Sequence, residues 1–87
     1  MEQDSQNKTG ILAAAFGVVL RDVRKERGIS QENLGFESGY HRTYVSLLER
    51  GLKSPSLQTI FELARALDIK PSELLARVER ATPHRPI

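Results

Sequence analysis

The stretch SQENLGFESGYHRTYVSLLERG, Ser30 to Gly51, decides the fold. Two short apolar periodicities flank one glycine. Counting from Gln31, aliphatic Leu34 stands fourth, Gly35 fifth, Gly39 ninth, Tyr40 tenth, Val45 fifteenth and Leu48 eighteenth. Each position has a physical task in two helices that cross at a tight turn. A very small fifth residue lets the second helix pass close to the first. The ninth must take a left-handed backbone, which costs glycine nothing. The tenth, fifteenth and eighteenth anchor the second helix in a core. Helices this short do not persist alone in water, so each is held by the other and by flanking helices.

The faces left over carry the chemistry. With Val45 and Leu48 inward, Arg42, Thr43, Ser46 and Leu47 point away from the core, and helical spacing puts Arg42 and Ser46 on one strip and Thr43 and Leu47 on another. Arg50 and Lys53 follow at the helix end. This set suits the major groove of duplex DNA. Arginine grips guanine bidentately, hydroxyls donate or accept, and an apolar group meets a thymine methyl. Tyr44 either leans on a phosphate or covers the helix edge. Gln31 opens the first of the two helices, where free amide groups and the dipole favour a phosphate.

Outward from this stretch, the spacing predicts five helices and no strand. MEQDSQNK is polar and aperiodic and reads as a flexible arm over residues 1–8. A helix is expected from Thr9, with Leu12, Phe16, Leu20 and Val23 at helical spacing. It ends at Gly28 after RKER puts cations at the negative end of its dipole. Ser30 and Ser56 are expected N-caps, LKSP and DIK are breaks, and Pro71 suits the first position of a last helix, PSELLARVER. One domain is thus expected over 9–81, with a tail over 82–87.

Composition sets the bounds. The 87 residues, 39% of them apolar, suffice for one small helical domain whose core is only marginally adequate. Cysteine is absent, which excludes disulfides and thiolate metal sites. A net charge of +2 is a mild bias, so its placement matters more than its size. The uncharged run Gly10–Leu20 is too short to span a bilayer, and its acidic near flank does not suit a secretory signal. A cytoplasmic protein without membrane contact is expected. His41 and His84 lie far apart without acidic or cysteine company, the serines have no base partner, and no glycine-rich phosphate loop occurs. No catalytic residue, metal or cofactor is therefore expected.

LRDVRKERGISQENL, GYHRTYVSLLERG and SPSLQTIFELARALDIKPSELL together resemble the lambda-repressor and Cro-like helix-turn-helix family (the xenobiotic-response-element type) over roughly Phe16 to Leu75. The resemblance implies a compact, all-α five-helix DNA-binding domain with its helix-turn-helix at helices two and three. It implies DNA contacts from Gln31, Arg42, Thr43 and Leu47, with Arg50 and Lys53 toward phosphates. It also implies a buried ion pair between Arg24 and Glu49. Within the family, so short a chain resembles restriction–modification controller proteins and small phage or plasmid repressors. Three positions depart from the pattern. Gly35 replaces an alanine, at a cost of ~1 kcal/mol in helix propensity. His41 stands where Ser, Thr or Asn would cap helix three, so that cap is weak or replaced by an imidazole contact, which adds His41 to the DNA-facing set. Lys70 likewise occupies a capping position.

The run ILAAAFGVV has no polar side chain, unlike a helix with one wet face. Either it fills its own core, or Ile11 and Leu12 form a dimer seam with Leu74, Leu75 and Val78 of the last helix. The expected function is a transcriptional regulator that binds duplex DNA as a homodimer on an inverted repeat. The alternative is an antitoxin-type interaction module whose main contact is a partner protein.

Overall fold

The computed structural model describes residues 2–83, with side chains from residue 10 onward. Five helices follow one another: α1 Glu2–Glu26, α2 Gln31–Ser38, α3 Arg42–Glu49, α4 Leu57–Ala66 and α5 Pro71–Ala81. No strand occurs among the described residues. The all-α, five-helix expectation holds, and four of the helices start where the sequence signals place them. The exception is α1, which begins at Glu2 rather than Thr9. MEQDSQNK carries no glycine or proline to stop a helix, so a polar aperiodic composition was no barrier to one. His84 lies outside the described residues.

The ends of the helices have local causes. Ser30 Oγ accepts from the Asn33 N–H at 3.0 Å and opens α2. Gly39, at φ +86°, closes it by donating to the Gly35 carbonyl at 2.9 Å. Ser56 Oγ accepts from the Thr59 N–H at 3.1 Å and opens α4. Lys70 makes no side-chain cap, and Pro71 begins α5 directly. The C-terminus of α4 is closed from a distance: Arg27, just past α1, donates through Nε to the Leu67 carbonyl at 2.7 Å and through Nη2 to the Asp68 carbonyl at 3.1 Å.

Leu20 and Val23 of α1, Leu34 of α2, Val45 and Leu48 of α3, Leu63 and Leu67 at α4, and Leu74 of α5 form the fully buried centre. Helix α1 packs on α3 and α5, while α2 packs on α3 and α4. The two short helices are therefore held from both sides. Tyr40 joins them to α4: its ring packs on the core, and its hydroxyl donates to Thr59 Oγ1 at 3.0 Å.

Two close approaches fix where α3 sits. A methyl group on Gly17 would lie 2.4 Å from the Leu48 carbonyl oxygen and 2.6 Å from that of Glu49. The last turn of α3 thus rests directly on the backbone of α1. A methyl on Gly35 would lie 2.5 Å from the Tyr40 carbonyl oxygen and 3.2 Å from the Arg42 nitrogen. The turn between α2 and α3 is drawn down onto α2 as far as a missing Cβ permits.

Alanine at position 17 tests the first approach. Helix propensity alone favours alanine over glycine by ~1 kcal/mol. Because the obstacle is backbone rather than a mobile side chain, Gly17→Ala is expected instead to lower stability by about 1–3 kcal/mol. Urea denaturation with an unchanged slope would measure it, and an equal or higher midpoint would show that the α1–α3 contact yields.

Candidate nucleic-acid interface

Helix α3 turns Val45 and Leu48 into the core and its opposite side to solvent. Arg42 and Thr43 are exposed in its first turn, and Ser46 and Leu47 are half-buried in its middle. Arg50, the C-cap, and Lys53, in the connector, are exposed beyond it. Among the described residues, the side chains of Arg42, Arg50 and Lys53 take part in no ion pair. Three cations thus lie along one helix and its exit without an internal partner.

The start of α3 is capped by His41. Its Nδ1 accepts from the Thr43 N–H at 3.0 Å, so the imidazole contact replaces the hydroxyl cap, and the ring proton of this tautomer is on Nε2. Tyr44 is half-buried, with its ring centroid 5.2 Å from that of Tyr40 at an interplanar angle of 41°. The structure thus gives Tyr44 a packing task at the edge of the core.

The only acid in α3 is Glu49, and it is turned inward. Arg24 donates to it twice, through Nε to Oε2 at 2.6 Å and through Nη2 to Oε1 at 3.0 Å. The Glu49 side chain is 4% exposed and that of Arg24 12%. The expected ion pair is present in the bidentate form, the stronger geometry for arginine and carboxylate. Hydrogen bonding to Glu49, with its charge, holds the Arg24 guanidinium above the usual arginine range against the opposing effect of burial. Arg24 also donates through Nη1 to the Ile29 carbonyl at 2.9 Å. Gln31, expected to be free for a phosphate, donates through Nε2 to Glu49 Oε1 at 3.0 Å. One amide hydrogen is therefore committed within the protein, and the other remains.

The expected dimer seam divides. Ile11, Leu12 and Leu75 are exposed at 50%, 54% and 39%. Leu74 and Val78 are buried in the protein's own core, a correction to their placement in the seam. Leu74 and Leu75 are about 100° apart on the helix, and the crossing of α1 and α5 decides which of the two faces inward. Leu12, Phe16, Pro55, Ile60, Leu75 and Val78 line a shallow apolar hollow of about 120 Å³. Leu57 and Phe61, one helical turn apart on α4, are also exposed and were not singled out by the sequence reading.

Sequence reasoning also missed three contacts: Arg27 on the carbonyls of Leu67 and Asp68 just past α4, the chain of hydroxyls Tyr40–Thr59–Ser56, and Gln31 on Glu49. The N-cap serine followed by threonine at its third position marked part of the hydroxyl chain. The two others join residues distant in sequence and left no local mark.

Residues 20–74 match a family model described as helix-turn-helix. The chain is 40% identical over 68 residues to control protein C.BamHI of Bacillus amyloliquefaciens, covering 77% of this chain and 84% of that one. It is 40% identical over 58 residues to control protein C.SmaI of Serratia marcescens, covering 67% and 69% of the two chains. Among solved structures, the restriction-modification controller protein C.AhdI from Aeromonas hydrophila superposes with a TM-score of 0.69 at 50% identity, over 71% of this chain and 94% of that one.

The Arg24–Glu49 pair has an asymmetric energetic signature. Arg24→Met or Glu49→Leu alone strands a charge in the interior and is expected to cost about 3–5 kcal/mol, whereas the double replacement, free of unpaired charge, is expected to cost far less. Chemical denaturation of the four proteins measures this. Two mild, additive single effects would show that the pair is solvated.

Proposed function

The chain belongs to the helix-turn-helix family, and on that premise we propose that it is a sequence-specific regulator of transcription that binds duplex DNA as a homodimer. The observation that carries this reading is the separation of charge on α3: Arg42, Arg50 and Lys53 stand exposed while the one acid, Glu49, is neutralised in the interior. In the proposed complex α3 enters the major groove. Arg42 reads a guanine edge, Thr43 and Ser46 offer hydroxyls, and Leu47 meets a thymine methyl. The His41 Nε2–H, the Tyr44 hydroxyl, Arg50, Lys53 and the remaining Gln31 N–H face the phosphates.

Two-fold symmetry would place the two α3 helices roughly 34 Å apart on successive major grooves of an inverted repeat. The surface proposed to join the protomers is the apolar face around Ile11, Leu12 and Leu75, whose exposed area suits burial against its own copy. C.BamHI and C.SmaI are control proteins and C.AhdI is a restriction-modification controller protein, and the proposal extends to that role: a cytoplasmic, non-enzymatic switch whose output follows its own concentration. The same exposed apolar face favours a second reading, in which the main contact is a different protein.

Selection from a random duplex library at two salt concentrations tests the proposal. An enriched inverted repeat with half-sites about one helical turn apart is expected. Weak, salt-sensitive binding without enrichment would transfer the weight to the partner-protein reading. On the selected operator, Arg42→Ala is expected to cost about 1–3 kcal/mol and relax preference at one base position. Lys53→Ala should weaken specific and random DNA alike and lower the salt slope by about one. Equal losses on both DNAs for Arg42→Ala would remove its reading role.

A further inference from the structure

We propose that Glu49 is the positioning residue for the DNA contact of Gln31, an inference that rests on the duplex-binding reading above. Gln31 is the first residue of α2, and its long side chain would otherwise sample several rotamers, at a cost in entropy whenever it docks. In the structure its Nε2 lies 3.0 Å from Glu49 Oε1, across the space between α2 and the end of α3. An ionised carboxylate only accepts hydrogen bonds, so the Gln31 amide must turn its NH₂ group, and not its oxygen, toward Glu49. The orientation of the amide is therefore set by charge. One N–H remains free to meet a phosphate oxygen.

A carboxylate this close to a phosphate contact would ordinarily repel the DNA. Arg24 offsets that charge by donating to both Glu49 oxygens, at 2.6 and 3.0 Å. The same guanidinium holds the Ile29 carbonyl at 2.9 Å, immediately before the Ser30 cap. Arg24 and Glu49 thereby tie the end of α1, the turn into α2, the first side chain of α2 and the last turn of α3 into one body. The phosphate contact made from α2 keeps a fixed register with the base contacts made from α3.

The test compares wild type, Gln31→Ala, the paired variant Arg24→Met with Glu49→Leu, and the triple variant on the selected operator at one salt concentration. Gln31→Ala is expected to weaken wild-type binding about fivefold. In the paired background, where the acceptor is gone, the same change should cost less than about twofold. A purely structural pair would not couple to Gln31 in this way. The side-chain amide spectrum supplies a second readout. Wild type should show one shifted, slowly exchanging glutamine NH₂ pair that disappears in Gln31→Ala. An equal cost of Gln31→Ala in both backgrounds, or no cost in a wild-type protein that binds its operator, overturns the proposal. Should the paired variant not fold, a Gln31 amide that exchanges like a surface glutamine overturns it as well. Failure of the underlying reading looks different: wild type would then enrich no sequence, while the shifted amide pair would remain.

Discussion

The position of α3 depends on a buried carboxylate. Glu49 is nearly inaccessible to solvent and accepts from three donors, two on Arg24 and one on Gln31. Withdrawing such a charge from water is costly, and its attraction to a partner only offsets that cost when the geometry is good and the remaining lone pairs are used. Both conditions are met here. The pair is therefore better understood as a device for orientation than as a source of net stability. A helix of eight residues has little inherent persistence, so its direction must come from what it touches. At its C-terminal end it touches the bare backbone of α1 at Gly17 and, about two turns further along the same face of α1, Arg24. The absence of a side chain at 17 and the charge at 24 act on the same turn of α3.

The disposal of Glu49 also shapes the surface. A net charge of +2 spread over 87 residues would steer little. Once the acid of α3 is folded inward, the outward side of that helix presents only neutral groups and cations, and the potential there exceeds what the overall charge suggests. The ion pair that orients the helix thus also leaves its outer face basic. Opposite in character is the apolar hollow between α1, α4 and α5, whose rim carries Leu12 and Leu75.

Most of the fold was legible because its signals are local. Caps at Ser30 and Ser56, the left-handed Gly39 and the proline at 71 are each read within a few residues, and the inward set Leu34, Val45 and Leu48 follows from spacing alone. The start of α1 carries no such local mark: a polar, aperiodic composition does not distinguish an arm from a helix, although nothing before Gly10 interrupts one. In the site, the residues on the outer face of α3 were recoverable from periodicity, and Arg24–Glu49 from the family resemblance. Gln31 on Glu49 and Arg27 on the carbonyls just past α4 were not, since they depend on how helices cross. The seam shows the same limit. Leu74 and Leu75 are neighbours in an apolar run, and only the packing of α5 on α1 sends one inward and leaves the other out.

Two departures from the family pattern, Gly35 and His41, look like independent defects when scored one at a time: a weak helix former and a poor cap. In the structure they belong to one turn. The missing Cβ at 35 lets the backbone of residues 40–42 settle onto α2, with the Tyr40 carbonyl 2.5 Å from where a methyl would be. The Gly35 carbonyl accepts from the N–H groups of both Gly39 and Tyr40, at 2.9 and 2.8 Å, so the end of α2 is fully used in making that turn. At the next residue the His41 imidazole closes the first turn of α3 with a ring nitrogen in place of a hydroxyl. The propensity lost at Gly35 is a cost to α2 alone, while the closer crossing it permits sets the height at which α3 begins. Because Arg42 is the first residue of α3, that height is also where its guanidinium leaves the surface.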